Sequence, residues 1–547
     1  MYISRNTSKH KSGKVYHSVL LRESYREGTK VKKRTIANLS AFPESLINAM
    51  EITLKNPNQA MLSNSSSSDF ELVQGKSIGS VLVLSTIAQR LGIVDALGSS
   101  FHAKLALWLI ISRIIEQGSR LSAIRLNTHY DLTSVIGLKR GFDENNLYDS
   151  LHWLSEHQEK IENALFKKSQ TSKFYWYDVT SSYLEGCYNQ LAAFGYNRDK
   201  KKRKRIIVVG LLCQENGNPV SIEGFKGNTQ DTQTFESQLI KLKNRFACES
   251  VTIVSDRGLI RKKQKLLLKE YGFNYVTALS MPEVLSLINA GLISRKDFIH
   301  DLRSFSKDGV RYIYRCNSER ALETQRQREE RLETAQRKAD QENEKLRNNP
   351  KISSYLAKNR IQKVLKKLCV FEWVNVNIEK RQLILSIDEQ KLKEKASFDG
   401  CYVWTTDREE SELSDREVYD QYKNLKYVED DFRTFKTNFL EIRPVFVRTE
   451  DSTRGHLLVT MLAHMIVREL RKAWEPFNLS VEEGLRELSF VCRHFLKLGE
   501  RKINCIPTTN AHASLLLDAL KIKLPKTLEE IDVPVVTRRK IRKNACH

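Results

Sequence analysis

Cysteine is scarce in this sequence, and its spacing argues against two common ways of stabilising a fold. Nine cysteines are scattered over 547 residues, and no two of them form a C-x-x-C pair. Disulfide frameworks and structural zinc sites both depend on even numbers or close spacing of cysteines. The cysteines are therefore predicted to be reduced thiols that mostly pack in the interior.

Long hydrophobic runs are also missing. The longest apolar stretch, residues 105–115, contains polar residues and is shorter than the roughly 18 to 20 residues that a membrane-spanning helix needs. Residues 1–6 lack the apolar segment and the cleavage site of a secretion signal. The sequence therefore predicts a cytoplasmic protein that does not span a membrane.

Acidic residues are too few to balance the basic ones. The chain has 90 Lys and Arg residues against 66 Asp and Glu residues, which gives a formal net charge of +24 at pH 7. Such a charge favours a polyanionic partner, with nucleic acid ahead of a membrane surface. The length predicts several domains.

The N-terminal part predicts a small β element, a linker and a helical region. Apolar residues alternate over residues 15–38, which predicts a hairpin that turns near residues 27–28 and could contact DNA. The basic residues predicted to face outward on it are Lys30, Lys32, Lys33 and Arg34. A Ser-rich stretch at residues 64–69 predicts a loop, and residues 79–168 have helical apolar spacing.

Residues 173–279 change character and predict a mixed α/β core. The predicted strands are residues 174–179, 206–213, 219–225, 251–255 and 274–279, and the predicted helices are residues 235–245 and 259–271. Asp178 and Asp256 each end a strand, where open α/β sheets expose functional groups. Each also has a plainer interpretation as a turn-forming residue, and Asp256 as a helix N-cap.

An insertion is predicted to interrupt this core. Residues 319–346 are mostly charged or polar and lack Pro and Gly, which indicates a solvated helix or a short helical hairpin. Strands are predicted at residues 371–376 and 382–387. Trp373 and Trp404 are predicted to pack within the protein, with stacking on an unpaired base as the alternative.

A helix is predicted over residues 414–438 because Ser414 and Glu417 fit a capping box and no Pro or Gly follows. The residues that would share one side of it are Tyr422, Leu425, Glu429, Phe432 and Lys436. An acid is unusual on a stripe of this kind, because a buried Glu needs a partner.

Glu429 therefore has two interpretations. It could form an ion pair with Arg433, or it could join the two strand-end aspartates as a ligand for divalent cations. Its neighbours Asp430 and Asp431 would point about 100° and 200° away around the helix. The helical phase thus selects Glu429 as the third acid.

The same segment resembles the Tyr-x2-Arg-x3-Glu-x6-Lys signature of bacterial insertion-sequence transposases of the DDE superfamily, with Leu425 at the position of the Arg. Further segments similar to that family are residues 177–181, 224–231, 256–258, 428–436 and 443–445. The resemblance spans about residues 170–470. It implies an α/β (α+β) fold, with a ribonuclease-H-like mixed sheet core that is interrupted by a β-rich insertion and preceded by a helical domain.

The resemblance also implies metal-dependent chemistry on DNA. Asp178, Asp256 and Glu429 would be the catalytic residues and would hold two Mg²⁺ or Mn²⁺ ions. One ion would activate water and later the DNA 3′-hydroxyl, and the other would stabilise the leaving oxygen. The implied DNA contacts around this site are Tyr422, Lys436, Arg433 and Arg257.

Two further groups of residues have candidate roles. A basic run is predicted to track DNA phosphates, with a solvated connection as the alternative. Its members are Lys200, Lys201, Lys202, Arg203, Lys204 and Arg205. His456 and His464 lie on a strongly apolar helix and are predicted to be core histidines rather than metal ligands.

The leading hypothesis is a DDE transposase that binds the terminal inverted repeats of its insertion sequence, cleaves DNA and joins the 3′-OH ends to target DNA. Its implied partners are double-stranded DNA and a second copy of the chain, and it would act in the bacterial cytoplasm at the nucleoid. The alternatives are a structure-selective nuclease on the same core and a catalytically dead, transposase-derived DNA-binding protein. Strand-transfer products would exclude the nuclease, and failure to bind Mn²⁺ would favour the dead protein.

The predicted regions are six in number. In chain order they are a basic N-terminal region with its linker (1–70), a helical DNA-binding or dimerisation domain (71–170), the first part of the catalytic core (171–280), the insertion (281–400), the second part of the core (401–495) and a basic C-terminal tail (496–547).

Overall fold

The computed structural model describes residues 1–9, 15–27, 30–55, 70–169, 172–186, 188–199, 201, 203–436, 440, 445–498 and 501–537. The strands are β1 (Tyr2–Lys9), β2 (Val15–Glu27), β3 (Lys30–Asn38), β4 (Phe70–Ser77), β5 (Phe174–Tyr183), β6 (Ile206–Gln214), β7 (Pro219–Lys226), β8 (Thr252–Val254), β9 (Asn274–Ala278), β10 (Arg303–Lys307), β11 (Val310–Cys316), β12 (Val374–Glu379), β13 (Gln382–Ile387), β14 (Cys401–Thr406), β15 (Cys492–Leu498) and β16 (Arg501–Cys505). The helices are α1 (Glu44–Lys55), α2 (Gly79–Arg90), α3 (Ile93–Leu97), α4 (Phe101–Ile115), α5 (Arg120–Arg125), α6 (Leu132–Val135), α7 (Glu144–Lys168), α8 (Asp231–Ile240), α9 (Lys262–Tyr271), α10 (Met281–Asn289), α11 (Ser318–Asn348), α12 (Ser354–Lys367), α13 (Glu389–Ala396), α14 (Asp415–Lys423), α15 (Lys426–Lys436), α16 (Glu450–Trp474), α17 (Val481–Ser489) and α18 (Ala511–Ala519).

The central sheet carries the predicted catalytic core. Its strands, within the described residues, lie in the order β10-β11-β14-β9-β8-β5-β6-β7. β5, β6 and β7 form an antiparallel meander, while β8 and β9 run parallel to β5 on its other side. A three-stranded meander joined at its first strand to two parallel strands is the ribonuclease-H-like arrangement. All five strands predicted between residues 173 and 279 are confirmed.

Both sides of this sheet are covered, which explains the continuous apolar run of β6. Every residue of that strand is buried, as expected for a strand with helices on both faces. On β5 the side chains alternate, so that Tyr175 and Tyr177 enter one core with α8 and α9, while Trp176 enters the other. That other core includes α4, α7, α15 and α16. The predicted helical region therefore shares its hydrophobic core with one face of the sheet.

The predicted insertion divides into two parts. β10 and β11 extend the central sheet through β14, which the sequence did not predict. Residues between β11 and β14 form a separate unit of α11, α12, β12, β13 and α13 with its own core. Residues 319–346 all lie in the single helix α11, so the single-helix prediction is confirmed and the helical-hairpin alternative is wrong; α11 in turn packs against α12. The unit leaves and rejoins the sheet at one point, where Cys316 pairs with Cys401.

The two ends of the chain form smaller sheets. The predicted hairpin is confirmed as β2 and β3, and β1 adds an unpredicted third strand. β4, β15 and β16 form another sheet, and α18 packs into the main core. The predicted C-terminal tail therefore contains secondary structure within the described residues. The Ser-rich stretch, residues 28–29 and residues 538–547 lie outside the described residues.

Two negative predictions concern the described part of the chain. The cysteines there are free thiols, as predicted. None of the helices in the described ranges is both long enough and apolar enough to cross a membrane.

Candidate active site

Asp178 lies in the middle of β5, so the prediction that it ends a strand is wrong, and it lies on the face of β5 that turns toward α15 and α16. It follows Trp176 by two residues, and alternation along a strand places both side chains on the same face. Burial is the main cause that raises the pKa of Asp178 to about 7, and the charges of Asp256 and Glu429 contribute. The guanidinium of Arg198 acts in the opposite direction. A half-buried carboxylate beside two further acids is a place where a cation would be stabilised.

Asp256 reaches the same place from the neighbouring parallel strand. Val254 of β8 pairs with Trp176 of β5, so continuing each strand by two residues brings Asp256 beside Asp178. The Asp256 side chain is exposed, and its Oδ1 accepts the backbone N–H of Arg257 at 2.7 Å. The N-cap interpretation is wrong, because the next helix begins at Lys262.

The predicted continuous helix over residues 414–438 is wrong. The Ser414 capping box is present as predicted, but α14 ends at Lys423 and α15 begins at Lys426. Between them the N–H of Leu425 bonds to the carbonyl oxygen of Tyr422 at 3.2 Å, three residues back. Such winding is tighter than that of an α-helix and changes the helical phase of α15 relative to α14. The spacing argument therefore applies within α15 to Glu429 and Lys436, whereas Tyr422 belongs to α14.

The structure nevertheless brings the predicted acids to one cleft of about 490 Å³. Its lining residues are Asp178, Val179, Thr180, Tyr196, Arg198, Asp231, Asp256, Gly258, Leu259, Glu429, Phe432, Arg433 and Lys436. Tyr422 contacts this group from the side, since its hydroxyl donates to Asp256 Oδ1 at 3.2 Å. Burial, and next the charge of Asp256, raises the pKa of the Tyr422 hydroxyl, which therefore stays protonated as a donor.

Three consecutive acids of α15 have three different environments. The Glu429 side chain is exposed at the cleft and forms no hydrogen bond or salt bridge with a residue of the described ranges. Asp430 forms a surface salt bridge with Arg433 at 3.0 Å, so the predicted alternative of a Glu429–Arg433 ion pair is wrong. Asp431 is buried and bonds to His464 Nε2 at 2.7 Å and to Arg468 Nη1 at 3.1 Å.

The buried Asp431 explains His464 and anchors the helix. Burial lowers the pKa of His464, so the ring is neutral at pH 7 and donates from Nε2 to the carboxylate. The prediction of a core histidine is confirmed for His464. Because His464 and Arg468 belong to α16, these bonds fix α15 against α16 and so fix the position of Glu429.

The basic residues that are candidates for DNA contacts differ in their exposure and in their salt bridges. Lys436 is largely buried and forms a salt bridge with Asp199 at 3.1 Å. Lys204 forms one with Glu185 at 2.7 Å. Lys201, Arg203, Arg205, Arg257 and Arg433 are exposed, while Lys200 and Lys202 lie outside the described residues.

Sequence reasoning missed the polar pairs behind the acids. Arg198 Nη2 contacts Asp231 Oδ2 at 2.6 Å, and both line the cleft. Asp199 holds Lys436. The signal was available, because Arg198 and Asp199 directly precede the basic run and Asp231 ends the segment at residues 224–231.

The two tryptophans near the insertion are buried. Trp373 packs in the core of the inserted unit, and Trp404 packs in the main core. The packing interpretation is confirmed for both side chains.

The acids fit divalent cations by their chemistry. Carboxylate oxygens are the donors that Mg²⁺ and Mn²⁺ prefer, and three carboxylates line this cleft, those of Asp178, Asp256 and Glu429. Within the described residues, however, no three such side chains converge closely enough to hold one ion. Asp178, Asp256 and Glu429 thus share the lining of the cleft without forming a cluster of three ligands.

Leu425, at the position where the resemblance has an Arg, is 9% exposed and packs in the main core. Leu425→Arg is therefore expected to lower the free energy of unfolding by about 3 kcal/mol, because the substitution buries an unpaired charge. Urea denaturation measures this, with Lys426→Ala at the exposed neighbouring position as the control. An unchanged midpoint together with tighter DNA binding would show that Arg is accommodated as a DNA contact.

Asp178 lies within β5, Asp256 lies two residues past the end of the parallel strand β8, and Glu429 lies on α15 over the same sheet. The three acids therefore line one side of a ribonuclease-H-like core. Residues 170–466, more than half of the chain, match the model of the transposase DDE domain family. The chain belongs to this family of transposases. Residues 3–61 match the model of the N-terminal domain of IS1634 family transposases, as expected for an insertion-sequence transposase.

Similarity to individual proteins is more distant. A cryo-EM structure of a piggyBac transposase synaptic complex with hairpin DNA aligns over 75% of this chain and 76% of that chain, with 9% sequence identity and a TM-score of 0.35. No curated protein sequence matches the chain.

Proposed function

We propose that this transposase binds the terminal inverted repeats of its own insertion sequence, cleaves the DNA at their ends and transfers the 3′-OH ends to target DNA. The observation that carries the proposal is the meeting of Asp178, Asp256 and Glu429 in one cleft of a chain with a net charge of +24. We further propose that two copies of the chain act together on two DNA ends, at the nucleoid.

Asp178, Asp256 and Glu429 are proposed to hold two Mg²⁺ or Mn²⁺ ions. Bound there, the ions would supply an activated oxygen nucleophile and charge stabilisation for the leaving oxygen. Other side chains hold these carboxylates in place. Tyr422 holds Asp256 through its hydroxyl, and the bonds of Asp431 to α16 hold the helix that carries Glu429.

The exposed cations at the cleft are proposed to position the DNA phosphates. Arg433 lines the cleft and Arg257 adjoins Asp256, and both are exposed. The exposed Lys201, Arg203 and Arg205 are proposed to contact further phosphates, and Lys436 would do so on release from Asp199. We also propose that the chain is organised in the six regions predicted from its sequence.

Asp256→Ala is expected to abolish Mg²⁺-dependent nicking of DNA that carries the element's ends. The substrate is the DNA that flanks the coding sequence on both sides, and the reaction is followed on denaturing gels with wild-type protein in parallel. Persistent cleavage by the variant would refute the assignment of the site.

Products in which flanking DNA is joined to a target plasmid would exclude the nuclease alternative. Calorimetric titration with Mn²⁺ tests the other alternative, because a catalytically dead protein is expected to bind no metal in the cleft.

A further inference from the structure

β2 and β3 continue beyond the N-terminal sheet as a two-stranded ribbon. β1 pairs with β2 only as far as Arg22, whereas β2 and β3 stay paired from Arg22 to the Glu27–Lys30 pair at the tip. The side chains of residues 24–27 and 30–36 are exposed. This ribbon, residues 22–27 with residues 30–35, therefore projects from the body of the protein with both of its faces in solvent.

The register divides the ribbon into two faces, because directly paired residues of an antiparallel ladder point to the same side. The first face carries the pairs Glu23–Arg34, Tyr25–Lys32 and Glu27–Lys30. The second face carries the pairs Arg22–Thr35, Ser24–Lys33 and Arg26–Val31. Of the four basic residues predicted to face outward, Lys30, Lys32 and Arg34 therefore lie on the first face, and Lys33 lies on the second.

The two faces differ in charge. On the first face, Arg34 contacts Glu23 at 2.6 Å and Lys32 forms a salt bridge with Glu27. On the second face there is no acid, and Arg22, Arg26 and Lys33 form no salt bridge with any residue that the structure describes. The first face is thus largely neutralised by its own acids, while the second is purely cationic.

We propose that the second face of the ribbon binds duplex DNA through its phosphates. This inference rests on the proposed function, since it supposes that DNA is the partner. A two-stranded β-ribbon has the dimensions to lie in the major groove, and cations that have no acidic partner release counterions from DNA when they meet phosphates. If the ribbon were only solvated, acids would be expected on both of its faces, whereas only the first face has them.

Exposed lysines also protect free strand edges against pairing with other chains, which is the plainer explanation for a basic ribbon. That explanation treats both faces alike. The DNA proposal separates them, so variants that remove the same charge from opposite faces distinguish the two explanations.

The test compares two double variants of the full chain. Arg26→Ala with Lys33→Ala removes two cations from the second face, and Lys32→Ala with Arg34→Ala removes two from the first. Binding to a fluorescent terminal-repeat duplex is measured by anisotropy without divalent metal, at several salt concentrations. Because the control also exposes two acids, it would weaken binding at least as much if net charge alone set the affinity.

The second-face variant is expected to weaken binding roughly tenfold and to reduce the slope of log K against log salt by about 1.8, the value for two phosphate contacts. The first-face variant is expected to keep the slope of the wild-type protein. Equal effects of the two variants, or an unchanged slope for the second-face variant, would overturn the inference. Failure of the wild-type protein to bind the duplex would instead refute the proposed function, so the two failures are distinguishable.

Discussion

Glu429→Gln is expected to abolish DNA cleavage while leaving the stability of the protein unchanged. The substitution keeps the size of the side chain and removes one of the three carboxylate charges at the cleft. Loss of about 4 kcal/mol of transition-state stabilisation corresponds to a roughly 10³-fold lower rate. Single-turnover cleavage of a pre-bound terminal-repeat duplex measures the chemical step separately from DNA binding.

The matched control is Asp430→Asn, one residue further along the same helix. Asp430 carries the same charge, but its side chain is engaged with Arg433 at the surface. The control is expected to cleave at a rate within about threefold of the wild-type rate, since an exposed ion pair contributes little. If Asp430→Asn abolished cleavage and Glu429→Gln did not, the third acid would be Asp430.

Asp431→Ala is expected to destabilise the protein by about 3–5 kcal/mol. Removing one partner from a buried ion pair leaves the other charge without compensation. Here Arg468 Nη1 and His464 Nε2 both lose the carboxylate that accepts from them, while Arg468 keeps its bond to the carbonyl oxygen of Asn216. The Sγ of Cys213 also loses a contact at 3.7 Å. Thermal and urea denaturation followed by circular dichroism measure the loss.

Asp430→Ala serves as the control for stability, with an expected change below about 1 kcal/mol. Equal stability of the Asp431→Ala and Asp430→Ala variants would show that the buried contacts do not anchor α15. Three adjacent positions of α15 thus carry a proposed catalytic acid, a surface acid and an anchoring acid, because α15 has the cleft on one side and α16 on another.

The strands of the core were predictable because their signal is local. β6 is a continuous apolar run, β5 contains Asp178, and β8 ends two residues before Asp256. The parallel register that sets Asp178 beside Asp256 follows from the ribonuclease-H-like arrangement that the resemblance implied. The fold, and the fact that these acids line one cleft, could therefore be predicted from the sequence.

The remaining features depend on tertiary contacts that local patterns do not contain. The break before α15 places Leu425 in the core, although no Pro or Gly marks it. Asp431 looks like a surface acid until His464 and Arg468, more than 30 residues away, are brought against it. Lys436 appeared free to meet phosphate because Asp199 is more than 200 residues distant in the chain.

The junction at Cys316 and Cys401 has a consequence for how this protein family can diversify. These residues are paired neighbours on β11 and β14, and the N–H of Asn317 bonds to the carbonyl oxygen of Gly400 at 2.7 Å. The unit between them is thus connected to the central sheet through two adjacent, hydrogen-bonded strand ends. Evolution could lengthen, shorten or exchange that appendage, as at the tip of a hairpin, without displacing the strands that hold the two aspartates.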